Sequence, residues 1–405
     1  MEARARAPTR SMNELDDLKV FGETRVGWCE ATAPNEYVDA AGALAAWDEV
    51  NQPDPRAPAR RVYDDPGVQA LRARLREANG LKGLEIVGPH EVERAQRIFF
   101  RDGFVVVRDA LGHGELARLR DASARVLREI LAIPGHGGRK YVTETARLPH
   151  RYSYGTSSAS RQLLHEPDWA SMVDLPTTTP ILKAIFGGDD YRLMGAGGDL
   201  CLPGAIEYQV LHADFRQAWS VPEARIAAAR RLGLDLGADR DEDLDHRARQ
   251  LVIEHTPQMV TVNFLMSDLT WENGPIRQIP GSQARMQPPP RLADEPEWMR
   301  LSTLVGAKAG SAVIRDNRAW HGATPNLSRE VRAMPNVEYL APWYDPAVLQ
   351  PAMPHETWEG LSEHGRKIAL AVKAAPGVWP VGAGVMHPLL SRRREAREAA
   401  KAAAR

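Results

Sequence analysis

The sequence predicts a mainly β protein with helical support, an α+β chain whose short strands close into a two-sheet barrel. Three observations carry this expectation. Short β-branched and apolar runs bounded by Gly, Pro or Asn recur in the second half, at Met259 to Met266, Ile276 to Ile279, Gly310 to Arg315 and Val331 to Leu340. Helical periodicity is concentrated ahead of them, in His90 to Phe99 and Gly114 to Ile133. With 405 residues, 43% of them hydrophobic, the chain is long enough to bury a substantial core.

Taken in order, residues 1–90 are rich in Pro, Ala and Arg and read as an N-terminal extension with one helix, Val68 to Ala78, closed by Gly80. The main body spans 91–350. It opens with the helical run to Phe99, then Asp102-Gly103 and the strand-like Phe104 to Val107. The helix from Gly114 to Ile133 presents Leu116, Leu119, Val126, Leu127 and Ile130 on one side. Residues 134–165 read as a loop, Thr179 to Phe186 as a short helix stopped by Gly187-Gly188, and Tyr191 to Met194 and Ala205 to Leu211 as strands. Residues 222–256 interrupt the strands with two charged amphipathic helices, a lid or dimer contact in expectation. The C-terminal extension, 351–405, ends in a polar helical tail from Ser391.

Composition narrows the function. A formal net charge of −1 offers no concentrated basic patch, which argues against nucleic acid as a partner. No run approaches the eighteen apolar residues of a membrane span. Two cysteines, Cys29 and Cys201, make no disulfide framework and fit a reducing compartment. Met1 to Arg10 lacks the apolar stretch of a secretory signal, and Met12 is an alternative start. The expectation is a cytoplasmic protein, monomeric or homodimeric, acting on a small molecule.

The chemistry centres on His212 and Asp214, two residues apart on a strand-like stretch from Tyr208, with a distant Trp320-His321-Gly322. Alternation on a strand sets His212 and Asp214 on one face. Two imidazoles and one carboxylate hold one face of an octahedral Fe(II) and leave the other for cosubstrate and O2. Zinc accepts the same donors, so a hydrolase is an alternative, as is a metal-binding interaction module.

Further residues stand in a fixed order around this set: Asn273-Gly274, Pro280-Gly281-Ser282, then Asn326-Leu327-Ser328, with Arg332 eleven residues after His321. Together with Asp102 to Leu111 they resemble the phytanoyl-CoA dioxygenase family of Fe(II)/2-oxoglutarate oxygenases, over roughly residues 95–345. The resemblance implies a double-stranded β-helix, the cupin-like jelly roll. It makes His212, Asp214 and His321 the metal ligands and catalytic centre, and Arg332 the clamp for the far carboxylate of 2-oxoglutarate. Two positions depart from the family pattern: Gln283 stands where a His is usual, and Ala323 where a Ser is, with Thr324 as its possible substitute. Retention of Asp214 argues against the related halogenases, which free that coordination place for chloride. An acyl-CoA substrate is the nearest alternative within the family, with Arg147, Arg151 and Arg161 as phosphate partners.

Other positions are candidates on local grounds. Asn263 is a polar residue on an apolar strand and needs a partner, either the cosubstrate or a structural group. Arg277 follows the Asn-Gly turn and is a substrate or structural cation; Arg329 is a rival to Arg332. Arg216 and Trp219, just after the metal set, and Tyr152, on the aromatic loop, are candidates for lining the substrate cavity.

Overall fold

The computed structural model describes residues 73, 84–132, 151–155, 162–201, 209, 211–270, 273–285, 287–290, 307–326, 331–345 and 349–384. The expected helix at 68–78 (apart from position 73), the loop at 134–150, Tyr208, Arg329 and the tail from Ser391 lie outside them.

Strand β1 (Ile86–Val87) precedes helix α1 (Val92–Asp102), whose buried Ala95, Ile98 and Phe99 form its inward face. The helix ends at Gly103, which takes the left-handed conformation (φ 82°) and returns its N–H to the carbonyl of Phe99 at 2.7 Å. A side chain there would be strained and would meet the Gln283 amide 2.5 Å away. The turn aims β2 (Phe104–Val107) into the sheet, and α2 (His113–Ala132) follows. Next come β3 (Arg151–Tyr154), the single turn α3 (Pro167–Ala170), α4 (Thr179–Phe186) and β4 (Arg192–Cys201). The insertion forms α5 (Glu223–Arg231) and α6 (His246–His255). The remaining strands are β5 (Met259–Phe264), β6 (Ile276–Gln278), β7 (Ala312–Asp316), β8 (His321–Ala323) and β9 (Arg332–Leu340), with α7 (His355–Glu359) and α8 (Glu363–Ile368) closing the chain.

Seven strands form one sheet in the order β1-β2-β7-β5-β9-β4-β3, antiparallel except for β1 beside β2. The second sheet pairs β6 with β8. His212 adds to its far side by an isolated antiparallel bridge to His321, with N–H to carbonyl distances of 2.9 and 3.0 Å, and the Gln209 N–H reaches the Ala323 carbonyl. This is the jelly roll: a large sheet backed by helices and a small sheet facing it.

Alternation sorts the large sheet into two faces. Val105, Val107, Val260, Val262, Phe264, Ile314, Val337 and Tyr339 join Phe99, Leu116, Leu119, Leu127 and Ile181 in the main core. The other face turns inward. At one end Phe104, Val106, Leu265, Ile276, Val313 and Met334 plug the barrel with apolar contacts. Between that plug and a second apolar cluster of Met194, Met259 and Leu340 at the far end, the face carries Thr261, Asn263, Arg315, Asn336 and Glu338.

Two local expectations change. The stretch around His212 is a bridge and not a continuous strand, because β8, its partner, is only three residues long. Within the expected loop 134–165, Arg151–Tyr154 is an edge strand whose residues pair one by one with Cys201 back to Gly198.

Candidate active site

His321 opens β8 with its side chain buried, and the bridge sets His212 directly opposite. Their rings lie 4.2 Å apart between centroids. Asp214, about a third of whose side chain is open, completes the group: its Oδ1 is 3.5 Å from His212 Nε2 and its Oδ2 is 3.6 Å from His321 Nε2. One donor atom from each residue lies within 4.8 Å of the other two. Among the described residues this is the one group of three or more His, Cys, Asp or Glu placed to hold a metal ion.

The surroundings prepare these donors. His321 Nδ1 lies 3.0 Å from the Ala319 carbonyl and 3.1 Å from Arg315 Nη1, and its Nε2 faces Asp214. Burial and the Arg315 charge keep the His321 imidazole neutral, well below its usual range, and neutral is the form a metal takes. Asp214 is pushed upward by burial, but Arg315 and the two histidines outweigh this and hold it well below the usual carboxylate range. Arg315 Nη1 donates to Asp214 Oδ2 at 2.9 Å. Asn317 reaches the same oxygen at 3.4 Å and is itself held by the Thr261 hydroxyl at 2.9 Å.

Arg332 lies 3% exposed at the start of β9. Its Nε donates to the Gly274 carbonyl at 3.0 Å, while Nη1 is buried with no hydrogen-bond partner. Gly274 has φ 73°, and a Cβ there would lie 2.9 Å from Cys201 Sγ, so the turn presents its carbonyl to Arg332 only as glycine. Asn263, opposite Asn336 and Val313, leaves its buried Nδ2 unpartnered. Gln278, opposite His321 on β6 and hence on its face, leaves both amide atoms unpartnered. Native interiors leave few such atoms, and here three unpartnered side chains share one chamber with the donor group.

Thr324 is fully buried and its hydroxyl donates to the Pro275 carbonyl at 2.6 Å. Arg277, next to Gln278, points to the opposite face of β6 and donates to the Gln209 carbonyl. Arg216 is exposed, and Trp219 is 46% exposed with its carbonyl taken by Arg249. Tyr152 stands on edge strand β3 opposite Leu200. Arg147 and Arg161 lie outside the described residues.

The model of the family described as phytanoyl-CoA dioxygenase matches residues 99–334, more than half of the chain and nearly all of the barrel. The chain belongs to that family. It is thereby an enzyme of the 2-oxoglutarate-dependent, non-haem iron class. Similar solved structures include HygX from Streptomyces hygroscopicus with nickel, 2-oxoglutarate and hygromycin B bound, at 17% identity, a TM-score of 0.40 and coverage of 64% of this chain and 94% of that one. EctD from S. alaskensis, with 2-oxoglutarate and 5-hydroxyectoine, has 18% identity, a TM-score of 0.41 and coverage of 63% and 77%. The carbocyclase SnoK from nogalamycin biosynthesis has 17% identity, a TM-score of 0.37 and coverage of 62% and 84%.

Sequence reading missed Arg315, Asn317 and Gln278. Arg315 had a readable signal, a charge ending the apolar run Ala312 to Ile314.

Proposed function

We propose that this chain hydroxylates an unactivated C–H of a small molecule, with His212, Asp214 and His321 holding Fe(II) and Arg332 holding the far carboxylate of 2-oxoglutarate. The balance is substrate C–H, O2 and 2-oxoglutarate giving substrate C–OH, succinate and CO2. Iron, when bound with 2-oxoglutarate and O2, supplies the oxidising power that the side chains lack.

The observation that carries the reading is the pairing of the three-donor cluster with the unpartnered Arg332 Nη1 in one chamber. The donor types fit: two imidazoles and a carboxylate suit Fe(II) and leave positions open. Arg332 supplies a buried guanidinium for a carboxylate, which it matches with two N–H groups. Asn263 and Gln278 supply the further donors and acceptor that an oxygen-rich cosubstrate needs. Arg315 and Asn317 hold the Asp214 carboxylate in place, so that its orientation does not depend on the ion. The apolar plug of Phe104, Val106 and Met334 keeps water from the closed end.

The test is anaerobic titration of the protein with Fe(II) and 2-oxoglutarate, followed in the visible. A weak charge-transfer band is expected for the chelated 2-oxo acid, lost in Asp214→Ala and His321→Ala. Iron that loads fully with no band on adding 2-oxoglutarate would overturn the reading.

A further inference from the structure

The inward face of the large sheet carries acidic groups that the metal and cosubstrate reading does not use. Register sets Arg315, Thr261 and Glu338 in one row across β7, β5 and β9. Further along β9, Met334 faces Asp199 on β4, and Asp199 faces Ser153 on β3. Glu338 is an even number of residues from Arg332, so it shares the chamber face. It is 4% exposed, and its Oε2 has no hydrogen-bond partner. Asp199 is half-buried and accepts the Ser153 hydroxyl.

These groups sense one another. Burial raises Glu338 well above its usual value; the Asp214 and Asp199 charges push the same way, and Arg315 opposes them. Among the described residues the chamber face carries Asp199, Asp214 and Glu338 beside Arg315 and Arg332, and burial raises Asp199 as it does Glu338. Burial therefore disfavours the Glu338 carboxylate until a cation lies against it. A carboxyl placed for structure alone is matched in this fold: Asp316, 1% exposed, lies 2.6 Å from Arg318. Glu338 has no such match.

We propose that Glu338, with Asp199 near it, binds a cationic amine of the substrate, making this an oxygenase of an amine-bearing small molecule. The inference rests on the oxygenase reading for the reaction that the amine undergoes. An ammonium group supplies the missing donor for Oε2 and offsets the burial that disfavours the carboxylate, whereas a hydroxyl supplies only the donor. A carboxylate or a phosphate would meet repulsion. The spacing suits a small substrate: Arg315 and Glu338 are two strands apart, about 10 Å, with only the small Thr261 between them. Asp214 is anchored on Arg315, so a molecule held at Glu338 spans from there to the metal-binding residues.

The test is calorimetric titration of the full-length protein with three matched probes: cyclohexylmethylamine, cyclohexylmethanol and cyclohexanecarboxylate. Each is run with and without Fe(II) and 2-oxoglutarate under anaerobic conditions. The amine is expected to bind at least about tenfold more tightly than the alcohol, with the carboxylate weakest, and Glu338→Gln should erase the preference. Because the native carboxyl is buried without a partner, Glu338→Gln should melt no lower than the parent, so loss of binding is not loss of fold. An amine that binds no better than the alcohol or does not bind, or a preference that survives Glu338→Gln, overturns the proposal. A normal Fe(II)/2-oxoglutarate band beside such a result leaves the oxygenase reading standing. A missing band beside an intact, Glu338-dependent amine preference breaks that reading and keeps the amine site.

Discussion

Arg225 and Arg318 secure the helical insertion, and Arg315 and Arg332 line the chamber; all four are at most 5% exposed. Their hydrogen bonding differs sharply. Arg225 donates to the carbonyls of Ala218, Ser220, Ile253 and Thr256 and to the Thr256 hydroxyl, and it packs over the Trp343 ring at 4.1 Å. Arg318 grips Asp316 with two nitrogens and reaches Gln217 and the carbonyls of Ile253 and Glu254. Arg315, by contrast, leaves Nε without a partner, and Arg332 leaves Nη1. Burial alone does not separate a structural cation from a functional one. Completeness of its hydrogen bonds does, because an orphaned buried donor is costly and persists where a ligand completes it.

The largest expected effect falls on the insertion. Arg318→Met strands the buried Asp316 carboxylate and several carbonyls, and should destabilise the fold by about 3–5 kcal/mol. Urea unfolding measures it; a loss below about 1 kcal/mol would show that the pair contributes no more than a surface ion pair. Arg332→Met reverses the pattern. Stability should change by less than about 1 kcal/mol, while 2-oxoglutarate affinity falls by roughly 30- to 100-fold, the worth of a charge-assisted pair. Equal losses of stability in the two variants would erase the distinction between the arginines.

How much of this was legible in the sequence follows from period and range. The helices of the main body and the strands at 259–264, 312–316 and 332–340 are visible because each has its own periodicity. His212, Asp214 and His321 are visible as residue types at a spacing. Arg315 and Gln278 are not, because what marks them is register: Arg315 lands on Asp214, and Gln278 opposite His321, only once β7 and β6 are paired. Edge strand β3 was hidden for the same reason, since its hydrogen bonds are all to β4. Arg277, one residue from Gln278, takes the opposite face, a placement that only the register of β6 decides.

Gln278 sharpens the comparison from the other side. Its two unpartnered amide atoms are fully buried, so Gln278→Leu, of similar volume, should stabilise the ligand-free protein by about 1–2 kcal/mol. It should also weaken 2-oxoglutarate binding or turnover. Thermal melts with and without Fe(II) and 2-oxoglutarate check both arms. A variant less stable than the parent would mean that Gln278 is structurally satisfied and the chamber less poised for a ligand.

The smallest effect is expected at a carboxyl that is well partnered and only partly buried. Asp174 accepts hydrogen bonds from the Ser362 hydroxyl, from Thr179 at 2.9 Å and from His364 Nδ1 at 2.9 Å, and so ties α8 to the turn before α4. Burial raises its pKa, but the Ser362, His364 and Thr179 bonds outweigh this and lower it. A carboxylate whose folded pKa lies below its unfolded value stabilises the fold fully above the unfolded value, and this contribution fades as pH falls through the folded one. Asp174→Asn should therefore cost about 1 kcal/mol at neutral pH, and the gap from the parent should close as pH falls below about 4. Urea midpoints at pH 7 and at the lowest pH where the parent stays folded decide it. A gap that does not change between them would assign the contribution to the second acceptor oxygen that the Asn amide lacks, and not to charge. Asp174 would then differ from the chamber carboxyls in partners alone. A closing gap instead makes it a carboxylate the fold stabilises in its ionised form, opposite Glu338, which burial drives toward its neutral one.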